Sequence, residues 1–273
     1  MIVVVSSGVG ILFIYSWIYK RSAPKELEHQ AANQQKLSLK ESLMHLAASK
    51  HLVCIALIVV CYGVSQNVIE GVWHDQVRTL FNDQNAYSAF MGNLAMSIGI
   101  ATTFFMLIGS ATLRYLGWKV TASLTPIIVL SSGLCFFILV IFQKELSYYT
   151  GYLFNVSPLL LAVWVGFFQD VITKASKYSF FDPTKEICYI PLDRVSKVQG
   201  KAAIDVVGAR FGKCGGAFVQ QGFLLLTAST LSAIAPYFAL VCMVTAGIWL
   251  FAVNKLHTSL KDLQDEQELA KVL

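Results

Sequence analysis

Seven apolar runs set the terms for this chain, because each is about as long as the hydrocarbon layer of a bilayer is thick. They cover residues 1–19, 51–72, 91–113, 119–142, 151–173, 203–230 and 233–253, and a spanning helix needs ~20 such residues. With 56% hydrophobic and 14% charged residues and a mean hydropathy of +0.61, the chain lies far from an ordinary soluble domain. The fold class expected is all-α and polytopic, since a helix satisfies its own backbone groups in lipid.

The first run precedes Lys20 and Arg21. A signal peptide carries its positive charge before the apolar stretch and a small-residue cleavage site after it, so 1–19 is expected to span. Residues 20–50 are polar and mixed in charge, and read as a cytoplasmic linker with a short amphipathic helix near 38–48. Residues 51–253 then form a transmembrane bundle and 254–273 a cytoplasmic tail. The positive-inside rule fixes the expected orientation. Among the 21 Lys and Arg, only Arg78 and Lys144 fall in outer loops and only Arg210 and Lys213 in the middle of a run; the other 17, counting Lys119 at the edge of its run, fall in loops of the opposite side. The expected topology has the N-terminus outside and the C-terminus in the cytoplasm.

The net charge of +5 sits in loops between apolar runs, which argues against nucleic acid as a partner. The six cysteines show no CxxC pair and no metal-ligand spacing, and read as small apolar residues with reduced thiols and no bound metal. The phosphate-loop, GxSxG, HExxH and GxGxxG signatures are missing, so no enzyme chemistry is expected. A seven-helix receptor shares the helix count and the outside N-terminus. It gives no reason for adjacent cations in the sixth span, and its first cytoplasmic loop would be unusually long.

Those cations lie in KAAIDVVGARFGKCGGAFVQQ, residues 201–221. At ~100° per residue, Gly208, Gly212 and Gly216 line up on one side, a small-xxx-small pattern that permits close helix packing. Arg210, Lys213, Gln220 and Gln221 cluster on roughly the opposite side. A cation in lipid costs at least ~2.5 kcal/mol, so Arg210 and Lys213 are expected to line a wet, anion-binding wall; the alternative is a structural ion pair with Glu70 or Asp205. In span 51–72, Gly63, Gln66, Asn67 and His74 fall within ~60° of Glu70, a polar stripe that suits a protein interior better than lipid. The alternative places Glu70 in solvent at the membrane boundary. His74 beside a carboxylate suits a proton-sensitive group. Span 151–173 ends in Gln169, Asp170 and Lys174, with Lys177 a turn later; the simplest reading is a helix end at the cytoplasmic surface with an i,i+4 acid–base pair. Asp205 reads as a neutralising partner of Arg210 or of a neighbouring helix. Tyr62, Trp73, Tyr87, Trp118, Tyr148, Tyr149 and Tyr152 fit an interfacial belt.

The string KYSFFDPTKEICYIPLDRVSKVQGKAAIDVVGARFGKCGGAFVQQ, residues 177–221, closely resembles the signature region of the nonmitochondrial ATP/ADP translocases of obligate intracellular bacteria and plastids. NVIEGVWHDQVRTLFNDQNAYSAFMG (67–92) and LRYLGWKVTASLTPIIVL (113–130) resemble the same family in the same order, and the likeness covers essentially all of residues 1–260. The resemblance implies a twelve-helix transporter of the major-facilitator type that exchanges ATP for ADP plus phosphate by alternating access, in a cell inner membrane. It implies no cofactor, ATP and ADP being cargo. A glutamate of the family's seventh helix and a lysine of its eleventh, both needed for transport, fall on Glu70 and Lys213. Arg210, Asn67 and Gln220 join them as expected substrate-binding residues from the wheel, with His74, Asp205 and Asp170 as coupling candidates. His74 stands where the family pattern has a lysine after the tryptophan. The matched region is the sixth helix, the central loop and the second six-helix half, so the missing N-terminal half is an expected partner. Proton-coupled nucleotide uptake, with Glu70 and His74 as carriers, and a non-transporting membrane remnant are the competing expectations.

Overall fold

The computed structural model describes residues 2–22, 49–147, 156–227 and 230–272. The amphipathic helix expected near 38–48 lies outside these residues. The chain divides into two units, Met1–Glu41 and Ser42–Leu273. The first contains α1, Ile2–Ser22, a helix with no acidic residue and two terminal cations.

The second unit is a helical bundle built around α2, Lys50–Leu80. Ser49 caps it, its hydroxyl accepting from the Leu52 amide at 3.4 Å, which satisfies one of the donors a helix start leaves open. Nothing in the following 30 residues breaks the helix, because its polar residues find partners inside the bundle. After it come α3 (Gln84–Ile141), α4 (Pro158–Ser176), α5 (Asp182–Ile187), α6 (Arg194–Ala203), α7 (Ala209–Thr227) and α8 (Ala235–Val272). π-Helical turns, Lys177–Phe181 and Ile204–Gly208, join α4 to α5 and α6 to α7. α2 packs on α3, α4, α7 and α8, and α3 packs on α4 and α8. The organising element is therefore α2, to which the glycine-rich stretch of α7 is fitted.

The 58 residues of α3 contain a sharp break at Gly117, where φ is 78° and ψ 173°. Its two arms, 84–116 and 118–141, hold the two apolar runs expected as separate spans. Four helical stretches of the described residues are long and apolar enough to cross a membrane: Lys50–Leu80, Gln84–Ile141, Pro158–Ile187 and Ala235–Asp262. The protein is thus an all-α polytopic membrane protein. The expected span at 203–230 falls short of that apolarity in α7 because of Arg210, Lys213, Gln220 and Gln221, and α1 contributes only a shorter apolar segment, Gly8–Trp17.

Between helices in lipid there is no hydrophobic driving force, so close packing and buried polar contacts hold the bundle. Trp73 of α2 lies against Gly166 of α4, and its indole N–H donates to the Val163 carbonyl at 2.9 Å. Tyr62 stacks on Phe181 at 5.5 Å and meets the edge of Trp249 of α8 at 5.9 Å. Ser65 bonds Thr245 of α8 at 2.7 Å. At the end of the bundle near Lys50, buried His51 bridges the Cys188 carbonyl at 2.8 Å and the Ser259 hydroxyl at 3.0 Å, while Trp118 donates to the Thr184 carbonyl at 2.9 Å. Lys185 pairs with Asp205 at 2.7 Å and Lys201 with Glu186 at 2.5 Å, clasping α5 to α6 and the π turn after it.

Candidate functional site

The site is built on the two sides of α2. Toward α7, Gly63 meets Gly212 backbone to backbone: a Cβ on Gly63 would lie 2.8 Å from the Gly212 Cα, and one on Gly212 3.0 Å from both the Gly63 Cα and the Val60 carbonyl oxygen. A Cβ on Gly216 would fall 2.7 Å from that of Asn67, and Gly208 faces Val59. Gly208 of the π turn and Gly212 and Gly216 of α7 are buried and form the contact with α2, as their alignment on the wheel requires. Gln220, grouped on the wheel with Arg210 and Lys213, instead extends the glycine seam. Its amide donates to the Asn67 carbonyl at 2.7 Å and to the Asn67 side-chain oxygen at 3.1 Å, and it fills the space that a side chain at position 71 would need.

Arg210 and Lys213 sit on the exposed side of the same helix, with Gln221. Neither makes a hydrogen bond or ion pair among the described residues, whereas Lys174, Lys177, Lys185 and Lys201 are all paired. The structural pairing considered for them is not made. Glu70 is held by Lys174, and Asp205 by Lys185. The expected role of Asp205 as neutraliser of Arg210 is corrected accordingly. The π turn Ile204–Gly208 lies between them and offsets by up to ~100° the phase that an unbroken helix would give them.

Toward α4, Lys174 Nζ lies 2.8 Å from Asp170 and 2.9 Å from Glu70. Gln66 Nε2 donates to the same two carboxylates, at 2.7 Å to Asp170 and 3.1 Å to Glu70. Asp170 is 1% exposed, and Gln169 beside it bonds Thr173 at 3.1 Å. The i,i+4 pair expected at a membrane surface therefore exists, but in the interior. Hydropathy falls at Gln169 because the residues are polar, and helix α4 continues because α2 supplies their partners. Glu70 is paired within the bundle, to Lys174 and Gln66, rather than left free in solvent. At ~1.5 Å per residue, Glu70 lies ~15 Å from the Leu80 end of α2, Asp170 ~18 Å from Pro158 and Lys213 ~21 Å from Thr227.

The polar stripe of α2 is divided among its neighbours. Gln66 and Glu70 go to α4, Gly63 and Asn67 to α7, and His74 to the end of the bundle near Leu80. There its Nδ1 lies 3.4 Å from the Tyr87 hydroxyl, beside an open pocket of about 430 Å³ lined also by Gly71, Asp75, Arg78 and Leu231. No hydrogen bond or ion pair joins Glu70 to His74 or to Lys213 among the described residues. Lys174 is the residue that sequence reasoning left aside. Only its spacing from Asp170 marked it, and that spacing is as common on a solvated surface. Among the described residues no cluster of His, Cys, Asp or Glu could hold a metal ion.

The model of the TLC ATP/ADP transporter family matches residues 1–260. The chain belongs to that family. Similar proteins include ADP,ATP carrier protein 1 of Chlamydia pneumoniae, 39% identical over 99% of this chain and 54% of the relative. The chloroplastic ADP,ATP carrier protein 1 of Arabidopsis thaliana is 38% identical over 99% of this chain and 43% of its own length. For ADP,ATP carrier protein 1 of Rickettsia prowazekii the values are 36%, 98% and 55%. The chain spans about half the length of the curated relatives it matches. No solved structure matches it.

Proposed function

We propose that this chain forms one wall of a nucleotide transporter that exchanges ATP for ADP and phosphate by alternating access. The observation that carries this reading is the pair of unpartnered cations, Arg210 and Lys213, held on the outer face of α7 by a glycine contact on its other face. Their place about midway along the continuous helical stretch 194–227 suits a site near the midplane between two transporter halves. The printed names of the relatives, ADP,ATP carriers, supply the cargo. Lys213 offers a compact charge and Arg210 a bidentate fork, the two geometries that bind phosphate oxygens. Asn67 and Gln220 lie on the adjoining seam, where their amide link fixes the height of α7 against α2. The major-facilitator architecture, the inner-membrane location and the outside N-terminus belong to the same reading, the last supported by the distribution of Lys and Arg. A second six-helix half would supply the opposing wall.

The test is equilibrium binding of radiolabelled ATP by purified protein carrying both halves. Losing one hydrogen-bonded charge in such a site costs on the order of 2–5 kcal/mol, so Lys213→Ala should weaken ATP binding at least ~30-fold. Lys213→Arg should keep part of the affinity and exchange poorly, because a fork replaces a point charge. Wild-type affinity in Lys213→Ala would remove Lys213 from the site. Counter-exchange that requires internal nucleotide, and no pH gradient, would separate exchange from proton-driven uptake.

A further inference from the structure

The cluster between α2 and α4 has a feature that nucleotide binding does not use. Two carboxylates, Asp170 and Glu70, share one lysine and one amide, so the formal charge of the group is −1. The donors that reach the carboxylates are Lys174 Nζ and Gln66 Nε2. The acceptors are both carboxylates, and Gln66, itself 5% exposed, keeps its Oε1 buried without any donor. Asp170 is the one buried carboxylate among the described residues. Like charges in a shared site resist ionising together, and the protons then belong to the pair rather than to either residue.

The surroundings give the residual charge no second cation. On α2, Tyr62 lies two turns below Glu70, and His74 one turn above it faces Tyr87. On α4 and its π turn, Lys177 is spent on Asp182 at 2.8 Å and on the rings of Tyr178 and Tyr62 at 4.4 and 5.9 Å. Arg210 and Lys213 belong to α7, which packs on α2 through the glycine seam, and they pair with neither carboxylate. The described cations of α3, Arg114 and Lys119, flank the break at Gly117. Those of α8, Lys255, His257 and Lys261, lie in its second half.

We infer that Asp170, Glu70, Lys174 and Gln66 form a proton-binding site, one proton being shared by the two carboxylates across Lys174. With the proton bound, the site is neutral. With the proton released, it carries one negative charge, which tightens both carboxylates on Lys174. The proton is added and removed without any other bond changing. The site includes Glu70, which the resemblance assigns to transport, but its test reads the bundle without nucleotide.

The experiment is infrared difference spectroscopy on the purified chain in lipid nanodiscs, titrated through neutral pH. Exposed Asp and Glu are ionised there. The wild type should show a protonated-carboxyl C=O band in mildly acidic solution, where exposed Asp and Glu are still ionised, that shifts in heavy water and disappears as the pH is raised through neutrality. Asp170→Asn or Glu70→Gln should abolish the band, and Asp182→Asn, at a partly exposed pair, should leave it. Isotope labelling of aspartate or of glutamate in the wild-type chain assigns the band without any substitution, should a variant fail to fold. A folded wild-type chain with no such band in mildly acidic solution overturns the inference. So does a band that survives both substitutions.

Discussion

Along α2, the side that meets α4 carries charges that all close on one another, whereas the side that meets α7 is a dry backbone contact that turns the cations of α7 outward. The two arrangements handle charge by different means. The first satisfies each ion within the bundle and so ties it to stability. The second leaves Arg210 and Lys213 with no role in holding the helices together, which frees them for a ligand. Stability and ligand binding should therefore separate cleanly between the two sides.

The sharpest way to break this contrast is Lys174→Ala. It leaves Asp170 buried with Glu70 and no cation, and should cost about 3 kcal/mol of stability, at the lower end for a buried pair because Lys174 is partly exposed. Thermal unfolding in detergent would show it, and adding Asp170→Asn should recover part of the loss, because the two sites are coupled. Next is Gly212→Ala, which sets a methyl against the Gly63 backbone and the Val60 carbonyl and should cost about 2 kcal/mol through forced separation of the helices. The same measurement reads it, and a crosslink between cysteines placed at the α2–α7 seam should form more slowly. Gln220→Ala removes the amide bonded to Asn67 and should cost about 1 kcal/mol. Smallest are Arg210→Ala and Lys213→Ala, within ~0.5 kcal/mol of wild type, although ATP affinity in the latter is expected to fall steeply. A large stability loss in either would mean that these cations hold the bundle together.

The α7 side was legible in the sequence because it rests on local periodicity. Three glycines four residues apart require a close neighbour wherever the helix packs, and α2 meets them with a glycine of its own. The α4 side was legible only in pieces. Glu70 and Gln66 could be seen to share a stripe, and Asp170 and Lys174 to share a face, but the two faces lie about a hundred residues apart in sequence. Nothing in either helix says that they meet. The drop in hydropathy at Gln169 therefore looked like a membrane surface. It marks instead the place where one helix's polar residues are answered by another's. His74 shows the converse limit: its wheel position groups it with Glu70, yet a turn of rise is enough to hand it to Tyr87.

Gly117, where α3 breaks between two apolar arms, carries a consequence about handedness. A Cβ there would meet nothing within 4 Å, so the site has room for a side chain. What excludes one is the backbone angle, φ 78° with ψ 173°, a combination that L-residues avoid and glycine accepts. Reflected through a mirror, the same pair of angles is ordinary extended backbone. A D-alanine introduced by chemical synthesis should therefore sit at position 117 without strain and hold the break more firmly than glycine does, while L-alanine, identical in size, should strain it.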